Sequence, residues 1–179
     1  ITRAAGSLTL PSRFMLVCAM NPCRCGWYGH PDRKCTCSER QVESYMRRIS
    51  GPLLDRIDLH VEVPSVDYEA MRRKDTPESS AEVQKRVNAA RAVQQRRYAG
   101  TDVSCNAYMT PPMIGKYCEL DERCEKLMRG AFDRLGLTGR SHDRILRVAR
   151  TIADLDGAEN IRPEHLSEAI QYRSSDLLK

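Results

Sequence analysis

Phe14-Met15-Leu16-Val17-Cys18-Ala19-Met20-Asn21-Pro22 is the stretch on which the fold turns. Its apolar run has no polar break until Asn21-Pro22. Such a run marks a β-strand buried on both faces, and strands of that kind sit in parallel sheets covered by helices. An α/β sheet around residues 14–20 is therefore expected. Upstream, ITRA and LTLPSRF form two short alternating runs around Gly6-Ser7, the pattern of a β-hairpin. Downstream, Ser38-x-x-Gln41 has capping-box spacing and predicts a helix through about Ile49, interrupted by Gly51-Pro52. Ile57 to Val63 alternates apolar and polar residues and predicts another strand, closed by Pro64.

The rest of the chain changes character. Ser79-x-x-Glu82 is a second capping box, followed by Val83, Val87, Ala90 and Val93 at helical spacing. Thr110-Pro111 places a cap and a first-turn proline before a short helix. Cys124, Leu127, Met128, Ala131 and Leu135 make the next stripe, ended by Gly136. Ile145, Val148, Ala149, Ile152 and Ala153 make another, and Pro163 opens a last helix that buries Leu166, Ala169 and Ile170. Short amphipathic helices bury such stripes best as a bundle. The expected architecture is α/β followed by all-α, with a first domain over 1–75, a helical domain over 76–179 and a boundary at Thr76-Pro77-Glu78.

With 179 residues, 41% hydrophobic and 30% charged, the chain reads as globular and helix-rich. No apolar run approaches the roughly 20 residues a spanning helix needs, and there is no signal-peptide layout, so a cytoplasmic setting is expected. A strand-like pattern is already under way at Ile1, which reads as an excised fragment. The net charge of +5 permits nucleic-acid contact without requiring it. In that setting, eight cysteines point to metal before disulfides.

Four constellations carry chemistry. Cys23-x-Cys25-x9-Cys35-x-Cys37 offers four thiolates in two close pairs, suited to a closed tetrahedral Zn²⁺ of structural type. Four reduced thiols without a ligand are the alternative, and His30 is a substitute ligand. Cys18 and Cys124 lie on apolar faces and read as core filling. Asn21 emerges at the carboxyl end of the expected strand, where ligands of open α/β sheets bind; a turn-forming Asn before Pro is the plain reading. Arg56 sits in Leu53-Leu54-Asp55-Arg56-Ile57-Asp58, either as an ion pair with Asp55 or Asp58 or as a guanidinium presented to phosphoryl-transfer charge in a neighbouring subunit. Arg140 falls in the first turn of its helix, which disfavours a cation unless an anion binds there. Arg144 and Arg147 continue along that helix as a solvated or nucleic-acid-facing stripe.

Taken in order, a hairpin, a strand ending in MNP, LLDR-x-D and a helical domain with GR-x3-RILR resemble the C-terminal portion of magnesium-chelatase-like AAA+ ATPases. FMLVCAMNPC, ISGPLLDRIDLHVEVP and RILRVARTIADLDG carry the resemblance. The cysteine insert points to the ComM/YifB-type branch. The resemblance implies a partial AAA+ core with a helical lid, and a full-length protein that forms a ring, a hexamer, and hydrolyses ATP with Mg²⁺ to remodel DNA in recombination and competence. It assigns Asn21 to sensor 1, Arg56 to the arginine finger and Arg140 to sensor 2. It also turns the hairpin, with Arg3 and Arg13, toward DNA in the central pore. The chain has no G-x4-G-K-[ST] phosphate loop and no acidic Mg²⁺-binding strand, so it is expected to be inactive alone. The rival readings are a chelatase-type ATPase serving metal insertion into a tetrapyrrole, and a zinc-stabilised DNA-binding module.

Overall fold

The computed structural model describes residues 2–3, 6–10, 12, 14–66, 68, 72 and 77–173. The chain divides into two compact units, 1–48 and 49–179.

In the first unit, β1 (Thr2–Arg3) pairs antiparallel with β2 (Gly6–Ser7), Thr2 opposite Ser7 and Arg3 opposite Gly6. The hairpin exists, but Gly6-Ser7 forms its second strand rather than its turn. Helix α1 (Glu39–Met46) begins where the capping box places it. The Gln41 amide donates to Ser38 Oγ at 3.4 Å, and the Ser38 amide donates to Gln41 Oε1 at 2.9 Å.

Residues 14–20 do not form the expected strand. They run without regular secondary structure, with Met15 88% and Val17 80% exposed. A strand buried on both faces needs hydrogen-bonding neighbours at both edges, and β1 and β2 are the strands present among the described residues. Cys18 is exposed for the same reason, against its expected place in a core.

The second unit is helical. Ser50 caps α2 (Gly51–Leu54), so Gly51-Pro52 opens a helix; a proline in the first turn lacks an N–H that would be unpaired anyway. Residues 57–63 form no strand, and Val61 and Val63 are exposed. Their backbone is pinned elsewhere: the His60 amide donates to Tyr172 O at 2.9 Å.

Helices α3 (Ser80–Arg97), α4 (Pro111–Tyr117), α5 (Glu122–Leu135), α6 (Gly139–Leu155) and α7 (Pro163–Gln171) follow, with a 3-10 turn at Asn106–Tyr108. Gly136 ends α5 at φ +58°, a left-handed conformation that glycine adopts without Cβ strain. The predicted stripes converge on Cys124, Met128, Ile145, Ala149, Ala153, Leu166 and Ala169. Fully burying Ile145 or Leu166 contributes about 1.5–3 kcal/mol each. The α3 stripe is the exception: Ala90 and Gln94 are buried, whereas Val83 and Val87 are exposed, because α3 packs through its C-terminal half.

A buried polar hub fastens α3 to α6. The Asp154 carboxylate, with no side-chain exposure, receives both Arg97 Nη atoms at 2.7 and 2.5 Å, Arg150 Nε at 3.1 Å and Asn106 Nδ2 at 2.8 Å. Asn106 Oδ1 accepts from the Tyr98 hydroxyl at 2.6 Å. Every donor meets an acceptor, the condition under which buried charge is tolerated.

Candidate functional site

Two groups of side chains carry chemistry, one in each unit. In the first unit the Sγ atoms of Cys23, Cys25, Cys35 and Cys37 all lie within 4.8 Å of one another. Cys23 is 3.3 Å from Cys25 and 3.7 Å from Cys35, and Cys25 is 3.4 Å from Cys35. A Zn–S bond of about 2.3 Å in a tetrahedron separates its sulfurs by about 3.8 Å, so the four thiols fit one ion with little adjustment. None of them is in a disulfide.

The local chain explains the gathering. Gly26, at φ +83°, lets the backbone double back so that its amide donates to Cys23 O at 3.1 Å. The backbone N–H groups of Trp27 and Thr36 approach the Cys25 sulfur and hold its thiol down at about 5. The Cys37 amide lowers Cys35, but burial and the neighbouring Cys25 and Cys23 sulfurs push it up to about 12. A bound cation would displace that proton and relieve the crowding of sulfurs. His30 has another role than the ligand considered for it. Its Nδ1 accepts from the Asp32 and Arg33 amides, both at 3.0 Å, and its ring meets Trp27 edge-on.

Asn21, ahead of this loop, is exposed. The backbone of Arg3 is in β1; its side chain, and all of Arg13, lie outside the described residues.

In the second unit, the Asp55-Arg56-Ile57-Asp58 segment lies against the helices. The Asp55 carboxylate accepts from Ser141 Oγ at 3.1 Å and Arg173 Nη2 at 3.0 Å, and Arg140 Nη1 stands 3.5 Å from its other oxygen. Burial works against this charge, but the Ser141 hydroxyl and the guanidinium groups of Arg173, Arg140 and Arg144 outweigh it, holding Asp55 below its ordinary 3.8. Arg144 bridges Arg56 O, at 2.7 Å, and the Asp58 carboxylate.

The sequence allowed Arg56 an ion pair with Asp55 or Asp58. Those carboxylates have other partners, and among the described residues Arg56 makes no ion pair. Its exposed side chain donates to Pro52 O at 2.7 Å. Arg140, 59% exposed, is held in the first turn of α6, next to the residue that precedes Arg56. His60 is buried. Burial and Arg173 lower its pKa against the pull of the Leu54 carbonyl, which fixes the ring proton on Nε2 at 3.2 Å.

Arg144 and Arg147 are not the solvated stripe expected of them. Both are half-buried, and Arg147 donates to Met109 O at 2.8 Å. Sequence reasoning also missed Arg173, 5% exposed, and the Asp154 hub. Arg150 and Asp154 do stand at i,i+4, a local sign of a helical ion pair. Arg97 is 57 residues from Asp154, and nothing local announces that contact.

Comparison with known proteins gives the family of the chain. Residues 1–71 match the family described as magnesium chelatase, subunit ChlI, and residues 77–173 match magnesium chelatase, subunit ChlI C-terminal. An uncharacterized protein, YifB of Escherichia coli K12, is 40% identical over 179 residues, 99% of this chain and 34% of that protein. The competence protein ComM of Haemophilus influenzae is 39% identical over 175 residues, 97% of this chain and 33% of that protein. The YifB protein of Salmonella typhimurium is 39% identical over 179 residues, covering 99% and 34%. The chain thus spans about a third of the length of these relatives. The two matches together cover the hairpin, the cysteine loop and the helical domain, and the second is to a helical lid-type domain. The chain belongs to the magnesium-chelatase-like AAA+ family, and within it to the ComM/YifB type. No helix among the described residues is long and apolar enough to cross a membrane.

Proposed function

We propose that the intact protein is a ring-forming ATPase, hexameric, that uses ATP and Mg²⁺ to remodel DNA, and that this chain supplies its sensing and trans-acting half. The observation that carries the reading is the state of Arg56. Its backbone is fastened to the lid, its guanidinium is exposed without an acidic partner among the described residues, and Arg140 engages the carboxylate of the preceding residue, Asp55. An exposed guanidinium with no carboxylate partner among the described residues, and a second, Arg140, 59% exposed and only loosely engaged by Asp55, suit the equatorial oxygens of a transferring phosphoryl group.

Arg56 is the arginine finger acting on a neighbour's nucleotide, Arg140 is sensor 2, and Asn21 is sensor 1, orienting the attacking water. Residues 1–75 complete an α/β core and 76–179 form the lid. In that core the exposed apolar residues of 14–17 become a strand between neighbours. One Zn²⁺ on Cys23, Cys25, Cys35 and Cys37 serves order rather than chemistry. Arg3 and Arg13 of the hairpin contact DNA phosphates. The cysteine loop and the similarity to a competence protein, ComM, favour DNA over tetrapyrrole metallation as the setting.

The experiment is turnover and nucleotide binding in the intact protein. Arg56→Ala should lower kcat by about 10³-fold while nucleotide binding survives. Unchanged turnover removes Arg56 from the site. The DNA arm is a salt titration: alanine at both Arg3 and Arg13 should flatten the dependence of affinity on salt, and parallel slopes exclude the hairpin.

A further inference from the structure

We propose that Arg173 is a positioning residue that clips the Arg56 segment to the lid, so that Arg56 and Arg140 are carried as one unit. The proposal rests on the reading of Arg56 and Arg140 as nucleotide-facing groups. Three consecutive backbone carbonyls accept from two arginines of the lid. Arg173 Nη2 reaches Asp55 O at 3.5 Å, Arg144 Nη1 reaches Arg56 O at 2.7 Å, and Arg173 Nη1 reaches Ile57 O at 2.5 Å. Arg173 also holds the Asp55 carboxylate at 3.0 Å and Ser141 Oγ at 3.2 Å. Ser141 in turn meets Thr138, the N-cap of α6, at 3.2 Å.

The chemistry of the side chain suits this task. A guanidinium is planar, permanently charged and carries donors in a fixed fork, so one Arg173 can fix two carbonyls, a carboxylate and a hydroxyl together. Lysine has three donors at one point and cannot span them. The buried hydrophobic residues of the lid core run from Tyr98 to Ala169 and include no residue of 55–60, so this segment is held mainly through polar contacts. Asp55 is the shared anchor: Arg173 and Ser141 take one carboxylate oxygen, and Arg140 approaches the other. Motion of the α6 N-terminus when Arg140 meets a phosphate is therefore passed to the backbone of Arg56. Within one chain, the group that senses nucleotide and the finger offered to a neighbour are mechanically joined.

The test uses the intact protein with Arg173→Ala, Arg173→Lys and Ser141→Ala, with Arg56→Ala as reference. ATP turnover, ATP affinity and amide exchange over residues 55–60 are read together. Arg173→Ala should lower kcat by about 10²-fold, the cost of misplacing a catalytic group by about 1 Å, with ATP affinity within about two-fold. Exchange over 55–60 should quicken while amides around Ala149 and Ala153 stay protected. Arg173→Lys should fall between wild type and alanine. If Arg173→Ala does not fold, Ser141→Ala keeps the buried charge and removes one hydrogen bond to Asp55; its expected loss is about five-fold in kcat. Wild-type turnover in the Arg173 and Ser141 variants beside a crippled Arg56→Ala overturns the clip and leaves the finger standing. Wild-type turnover in Arg56→Ala strikes the finger instead, and unchanged exchange over 55–60 in Arg173→Ala then overturns the clip on its own.

Discussion

Among the described residues of 1–48, Cys23 and Val42 are the buried ones, whereas the lid gathers Tyr98, Met109, Cys124, Met128, Ile145, Leu166 and their neighbours into a continuous apolar core. Both regions must offset the entropy of ordering a short chain, on the order of 1–2 kcal/mol per residue for the backbone alone. The lid does so by burial. The cysteine loop has no comparable apolar reserve, and what it has instead is four sulfurs drawn to one point. Order in the two regions should therefore fail under different insults.

Metal removal is the largest separation expected. A structural Zn²⁺ contributes about 10–16 kcal/mol to folding the segment that binds it. Protein purified without chelator should carry one Zn²⁺ per chain. Stripping it, or replacing Cys25 and Cys35 by serine, should abolish amide protection over residues 23–37 and leave the α6 core amides unchanged. Because the ligands bind as thiolates, the ion should be released as the pH falls, and order should return when pH and metal are restored. A loop that stays protected without metal would erase the contrast.

The second separation comes from the lid side. Asp154 has no side-chain exposure and balances Arg97 and Arg150. Asp154→Ala leaves two arginines facing a vacated site and should cost about 3–5 kcal/mol. Calorimetry should show the lid transition lowered by more than about 10 °C, with zinc content unchanged. A fall of a degree or two would mean that the apolar core carries the lid without the hub.

What the sequence disclosed divides along similar lines. Local rules succeeded: the boxes at Ser38 and Ser79, the Gly136 stop, and the stripes through Met128, Ala149 and Leu166 all depend on residues a few positions apart. The four-cysteine cluster was legible because its pairs are close in sequence. The apolar patterns of residues 14–20 and 57–63 read as strands, yet a strand is a property of its neighbours too, and among the described residues none pairs with them. The clip around Asp55 joins residues 118 positions apart, and among the described residues the exposed Arg56 lacks the ion pair the sequence allowed because Arg144 and Arg173 hold the carboxylates on either side. No spacing in the chain announces either.

The smallest expected effect is also the best controlled, because the two regions use the same local device. Ser38 and Ser79 each cap a helix in a reciprocal box, with Gln41 and Glu82 returning to the cap amide. Replacing either serine by alanine removes the same hydroxyl contact and should cost about 1 kcal/mol locally. The consequences should differ. Helix α1 has eight residues and one buried side chain, Val42, and a helix that short has little stability of its own. Helix α3 has eighteen, and its far end is fastened through Gln94 and Arg97 to Asn106 and Asp154. Ser38→Ala should therefore speed exchange along the whole of α1. Ser79→Ala should speed it only over the first turn or two, near Glu82, with the amides after Ala90 unmoved. Exchange rates in the two variants decide the matter. Equal, confined fraying would show that α1 is held by more than its cap and Val42, and the cysteine loop would then be the first place to look for the support.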